Sequence, residues 1–269
     1  GRWFLLFLDR FRMGYSADPF SSYLALLFIA CGNMFLADIF SLIGKKRSYL
    51  VSAMILSSTT ISVLLSYRFT SSNFGLAYLL SISAVWVLYK LKNRWVGMIV
   101  SSVMICLSLG AYQADLGCTS LLILLVILFM CLGQASEKDI FEFFIRCAVS
   151  VTVACLVYKL IWDLSLSFFR LEPNSYNGAS NVSVSLILKK MPVRILATYT
   201  QFFKYFFGNS IKHSIFQQYK FYVIVFMAFG GVLLWKGFSL AKKKSWIRLA
   251  IYLSGIILIP VACNVSMIL

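Results

Sequence analysis

Acidic side chains are scarce in this sequence: nine Asp and Glu stand against 25 Lys and Arg, for a net charge of +16. Histidine occurs once, at His213, so a His-based metal centre or a Ser-His-Asp triad would have to be built around that residue alone. Four prolines are present, and Pro19, Pro173 and Pro192 lie outside the long apolar runs. Neither G-x-x-x-x-G-K-[ST] nor G-x-G-x-x-G occurs, which removes the usual phosphate-cradling loops of nucleotide enzymes. Cys31, Cys106, Cys118, Cys131, Cys147, Cys155 and Cys263 sit in or at the ends of apolar stretches, with no C-x-x-C spacing. They read as small core hydrophobes, not as a disulfide or zinc framework.

What is abundant is hydrocarbon. Hydrophobic residues make up 61% of the 269 and charged residues 13%, against roughly 25% charged in an ordinary soluble chain. No water-soluble core hides that surplus. Runs long enough to span a bilayer fall at about 20–43, 49–66, 73–90, 95–111, 116–133, 143–166, 221–239 and 247–265. The expected fold is an all-α integral membrane protein of about eight transmembrane helices with one large outer loop containing amphipathic helices. The expected organisation is an outer segment 1–19, six spans over 20–166, the loop 167–220, and two spans over 221–269. The spans at 49 and 73 are the ones whose limits the sequence marks least well.

A strongly basic soluble protein would point to nucleic acid, but here the charge has another explanation, and no nucleic-acid partner is expected. Basic residues gather in cytoplasmic connections, and anionic lipid supplies their counter-charge. Lys45, Lys46 and Arg47, then Lys90, Lys92 and Arg94, then Lys138, then Lys242, Lys243, Lys244 and Arg248 all fall in alternate connections, on one side. That side is read as cytoplasmic. The outer side then carries residues 1–19, the turn 110–115 and the long loop. From Val182 to Phe207 apolar residues alternate with Lys189, Lys190, Arg194 and Lys204, a pattern suited to amphipathic helices among lipid head groups.

Ionisable residues within spans suggest function by default. Glu142 and Arg146 are four apart in the order that favours pairing, so they read as structural. Lys159 and Asp163 repeat the spacing at the outer end of the same helix, where structural and functional readings both stay open. Asp38, near an inner end, is expected to reach the interface or a neighbouring helix.

Two stretches carry a resemblance. Gly1-Arg2-Trp3-Phe4-Leu5, ahead of a span, and Leu107-Ser108-Leu109-Gly110-Ala111-Tyr112-Gln113, at an outer boundary, resemble the Gtr-type glucosyl transferases of bacterial membranes. The resemblance implies a GT-C-like enzyme of the bacterial cytoplasmic (inner) membrane. It would take a hexose, glucose first, from a polyprenyl-phosphate-linked donor and pass it to a surface glycan such as O-antigen. It names no certain cofactor and leaves a divalent metal open.

Such chemistry needs a carboxylate to accept the proton of the attacking hydroxyl and cations to stabilise the departing phosphate. In the family the carboxylate role attaches to an Asp-Asp pair shortly before the Gly-Arg motif, and this sequence starts at Gly-Arg, so a fragment lacking that pair and a first span is expected. Of Asp9, Asp18, Asp115, Asp163 and Glu172, Asp115 is the candidate base, since it follows Tyr112 and Gln113, a hydroxyl and an amide able to hold a sugar. Tyr112 also fits an interfacial anchor, and Asp115 a helix N-cap. Arg2, Lys189, Lys190 and Arg194 are the candidates for phosphate. A transporter or flippase of lipid-linked sugars and an inactive relative are the alternatives.

Overall fold

The computed structural model describes residues 3–11, 19–67, 70–133, 135–170, 184–207, 218–242 and 245–265. Among these there is no strand. The elements are α1 (Trp3–Phe11), α2 (Phe20–Ile39), α3 (Lys46–Leu56), α4 (Thr59–Ser66), α5 (Ser71–Lys90), α6 (Arg94–Ala111), α7 (Asp115–Leu132), α8 (Glu137–Phe169), α9 (Val184–Phe207), α10 (Gln218–Lys242) and α11 (Trp246–Cys263). Seven of the described helices are long and apolar enough to cross a membrane, and α3 with α4 makes an eighth if the bent pair is one span. The chain is an all-α, multi-pass integral membrane protein.

Helix ends follow local chemistry. Asn93 caps α6, its Oδ1 accepting the Val96 N–H, and Ser136 and Asp139 form a reciprocal box at the start of α8. After α2 the chain turns left-handed at Ser41 (φ 54°), so that Ser41 N–H reaches Asp38 O and Leu42 N–H reaches Ala37 O, a Schellman closure. Gly44, at φ 74°, continues the reversal in a conformation that costs glycine little. The expected span 49–66 is broken, with its halves bent by 53°. Ser58 marks the break: its hydroxyl accepts the Ile61 N–H and caps a new helix there.

The described chain divides into two compact units, Gly1–Val126 with Glu142–Pro173, and Ile127–Phe141 with Asn174–Leu269. In the first, α5 is the core helix, with 72% of its spanning stretch buried. It runs parallel to α2: Ser21 bonds Ser71 and Ser72 at one end (3.1 and 3.2 Å), and Asp38 meets Trp86 Nε1 (2.6 Å) and Lys90 (3.4 Å) at the other. Asp38 therefore does reach a neighbouring helix. Between these ends the backbones close on small residues. A Cβ on Gly75 would stand 2.7 Å from the Ala25 carbonyl oxygen, the kind of approach that drives helix association where lipid offers no hydrophobic advantage. Two buried hydroxyls pair across α5 and α6: Ser81 and Ser108 lie 2.8 Å apart, and Ser108 Oγ donates to Ala77 O.

In the second unit, Tyr252 is fully buried with its hydroxyl on Leu233 O, joining α11 to α10. Helix α9 bonds α11 through Tyr199 Oη to Ile257 O (2.7 Å) and packs Phe206 at a tilt against Phe226 of α10 (4.8 Å between rings). Arg248 reaches Gly133 O at the end of α7 (3.4 Å), a cation on a helix C-terminus.

Candidate active site

The first unit brings the two sequence stretches that carry the resemblance into contact. Glycine at 110 is what permits it: a Cβ there would stand 2.8 Å from Phe4 Cβ and 2.9 Å from Trp3 Cε2, so α1 lies directly on the last turn of α6. Nothing in the sequence alone placed a helix at 3–11 or put it there. Beyond Ala111 the chain leaves the helix at Tyr112 (φ −152°, ψ 107°) and re-enters one at Asp115.

Each residue of that turn has a determinate place. The Tyr112 ring packs on Phe74 of α5, 4.6 Å between centroids, which fixes the turn to the core helix. Gln113 Nε2 donates to the Tyr158 hydroxyl, which ties the turn to α8. Asp115 opens α7, where a carboxylate gains from the helix dipole. Its backbone carbonyl takes hydrogen bonds from Ser81 (3.4 Å) and Thr119 (3.3 Å), and its Oδ2 is buried with no hydrogen-bond partner. A buried carboxylate oxygen left unmade is costly, so it persists where something else holds it in place.

Tyr158 is a residue the sequence reading missed. A tyrosine in a long apolar run gives no signal of its own, and its partner Gln113 lies 45 positions away. Asn33 was missed for the same reason: its Oδ1 accepts from Tyr78 (2.8 Å), and its Nδ2 is buried without a partner.

Of the other candidates, Arg2 lies outside the described residues, as do Asp18 and Glu172 and the side chains of Asp9 and Lys189. Lys190 is exposed and Arg194 half-buried, both on α9 in the second unit. Glu142 and Arg146 are the structural pair expected, and more: Glu142 meets Arg94 at 2.7 Å and Arg146 at 3.7 Å, and Arg146 Nη1 donates to Leu88 O. Three helices, α5, α6 and α8, meet at that cluster. Lys159 and Asp163 pair at 2.7 Å with both side chains more than half exposed. Among the described residues no group of three His, Cys, Asp or Glu is placed to hold a metal ion.

A protein-family model described as "Glucosyl transferase GtrII" matches residues 1–269. No curated protein and no solved structure matches this chain.

Proposed function

Since the chain belongs to the GtrII glucosyl transferase family, we propose that it moves a hexose, glucose first, from a polyprenyl-phosphate-linked donor to a surface glycan such as O-antigen, at the outer face of a bacterial cytoplasmic membrane. The observation that carries the site is the Asp115 carboxylate, buried and unpartnered at Oδ2, in a turn held on three sides by α1, α5 and α8. Pre-positioning of this kind is what proton transfer requires.

In this reading Asp115 accepts the proton of an acceptor hydroxyl as its oxygen attacks the anomeric carbon. The bond from that carbon to the donor's phosphate oxygen breaks, and the phosphate leaves on the lipid. Arg2 is the cation proposed to stabilise it, with Tyr112 and Gln113 lining the sugar's approach. A lipid-borne donor needs no nucleotide fold, in keeping with the missing phosphate-loop motifs. The break between α3 and α4 is the feature a transporter would use, so flipping is measured beside transfer.

The test supplies membranes containing the full-length protein with polyprenyl-phosphate-glucose and a lipid-linked glycan. Asp115→Asn is expected to lower turnover by at least about 100-fold, with the unfolding temperature in detergent unchanged. Full turnover in that variant removes Asp115 from the mechanism. Sugar-lipid flipping by the parent without any transfer would replace the enzyme reading with the transporter.

A further inference from the structure

Two helical stripes face each other across a groove of about 450 Å³ in the first unit, which the chemistry above leaves unused. Met98, Ser102 and Cys106 line it from α6, and Val149, Val153 and Val157 from α8. The Ser102 hydroxyl is occupied by the carbonyls of Met98 (2.8 Å) and Ser150 (3.2 Å), so the walls are apolar in effect. From Trp95 to Leu107 the groove follows α6 for about 18 Å, past the depth of one leaflet of a hydrocarbon core about 30 Å thick.

Both stripes are headed by charge at the same end. Arg94 stands one helical turn before Met98 on α6, and Glu142 and Arg146 precede Val149 on α8. Arg94 Nη1 reaches Glu142 at 2.7 Å, which sets the guanidinium across the seam between α6 and α8. Arg146 Nε lies 3.7 Å from the same carboxylate, so two cations share one anion and a positive charge is left over. Arg146 is turned inward, with its side chain 18% exposed and Nη1 on Leu88 O. The Arg94 side chain is 63% exposed, and a guanidinium has five N–H groups, more than Glu142 takes up. Beside it Trp95 lines the groove and is itself exposed, as an aromatic at a membrane interface is. Lys92, two residues upstream, adds another exposed cation.

A free phosphate would meet the cations and leave the apolar walls bare, and a neutral lipid would do the reverse. An anionic head joined to a hydrocarbon chain meets both, and the connection holding Lys92 and Arg94 is on the side that its charge marks as cytoplasmic. We propose that the groove seats one acyl chain of an anionic glycerophospholipid of the cytoplasmic leaflet, with its phosphate on Arg94 and Trp95 beside the head group. Arg94 opens α6 and Gly110 lies in its last turn, so this site stands at the other end of the helix from the 110–115 turn and does not depend on sugar transfer.

The test places the full chain in phosphatidylcholine nanodiscs with a small share of phosphatidylglycerol carrying a diazirine on its acyl chain, the labelled residues being found by mass spectrometry. Labelling is expected between Met98 and Leu107 on α6 and between Val149 and Val157 on α8, about fivefold above that from phosphatidylcholine with the same tag. Untagged phosphatidylglycerol should displace the probe from the unaltered protein, and inorganic phosphate should not. Arg94→Gln should bring the two lipids level. Lys46→Gln, which removes an exposed cation from another connection on the same side, should keep the preference. Val153→Trp, which fills the groove, should abolish labelling there. Equal labelling by both lipids in the unaltered protein, labelling confined to other helices, or displacement by phosphate alone overturns the proposal without reference to any variant. A preference that survives Arg94→Gln, or disappears equally in Lys46→Gln, overturns it as well.

Discussion

At the scale of single residues, the glycines separate into those that another helix needs small and those it does not. Gly75 faces the Ala25 backbone, where an added methyl would lie 2.7 Å from a carbonyl oxygen that has no side-chain freedom to yield. Gly75→Ala is expected to destabilise the protein by about 1–3 kcal/mol, as overpacking does in a closed core. Gly230, with nothing within 4 Å of the same position, is the control: Gly230→Ala should be neutral or stabilising by up to about 1 kcal/mol. Unfolding in detergent micelles checks both, and equal effects would mean that α2 and α5 do not meet as closely as described. The sequence did not separate these two glycines. Both sit in apolar runs, and what distinguishes them is a neighbour tens of residues away.

At the scale of elements, the Glu142 cluster shows how a charge inside a span becomes a fastening. The sequence spacing gave the pair Glu142 and Arg146, because four residues is one helical turn. It gave neither Arg94 nor the Leu88 carbonyl, which belong to other helices. Removing Glu142 leaves Arg146, with its side chain 18% exposed, beside no carboxylate. Glu142→Ala is expected to cost roughly 1–3 kcal/mol, short of the 3–5 kcal/mol for a fully buried pair. Asp163→Asn, at an exposed pair, should cost less than about 1 kcal/mol. The same unfolding experiment ranks them, and a larger loss for Asp163→Asn would give that pair the role assigned here to Glu142. The break at Ser58 was partly legible, in that the run 49–66 was among the least well marked. Its bend needed the structure, because a serine caps a helix only when the backbone has already turned.

At the scale of the whole molecule, the alternation of basic and non-basic connections predicts sidedness. With the native cysteines in apolar stretches, Ala114→Cys should react with a membrane-impermeant maleimide added to intact cells, and Lys92→Cys only after the membrane is opened. The opposite pattern would put the 110–115 turn in the cytoplasm and end the outer-face proposal. Helix pairing agrees with the order of spans: Ser21 meets Ser71 at the end where Phe74 meets Tyr112, and Asp38 meets Lys90 at the other.

The sequence by itself determined that this is a membrane protein of helices, about where they run, and which carboxylate to examine. Hydrocarbon length, loop charge and turn position are local properties that a single chain displays in order. Only the tertiary structure decided that Trp3 and Phe4 lie on Gly110, that Gln113 reaches Tyr158, and that Asp115 Oδ2 is buried without a partner. Inside a bilayer every helix is apolar on most faces, so the hydrophobic pattern that marks an inner face in a soluble protein is silent. Which faces meet is settled by small residues and hydroxyls, whose partners become known when the helices are packed together.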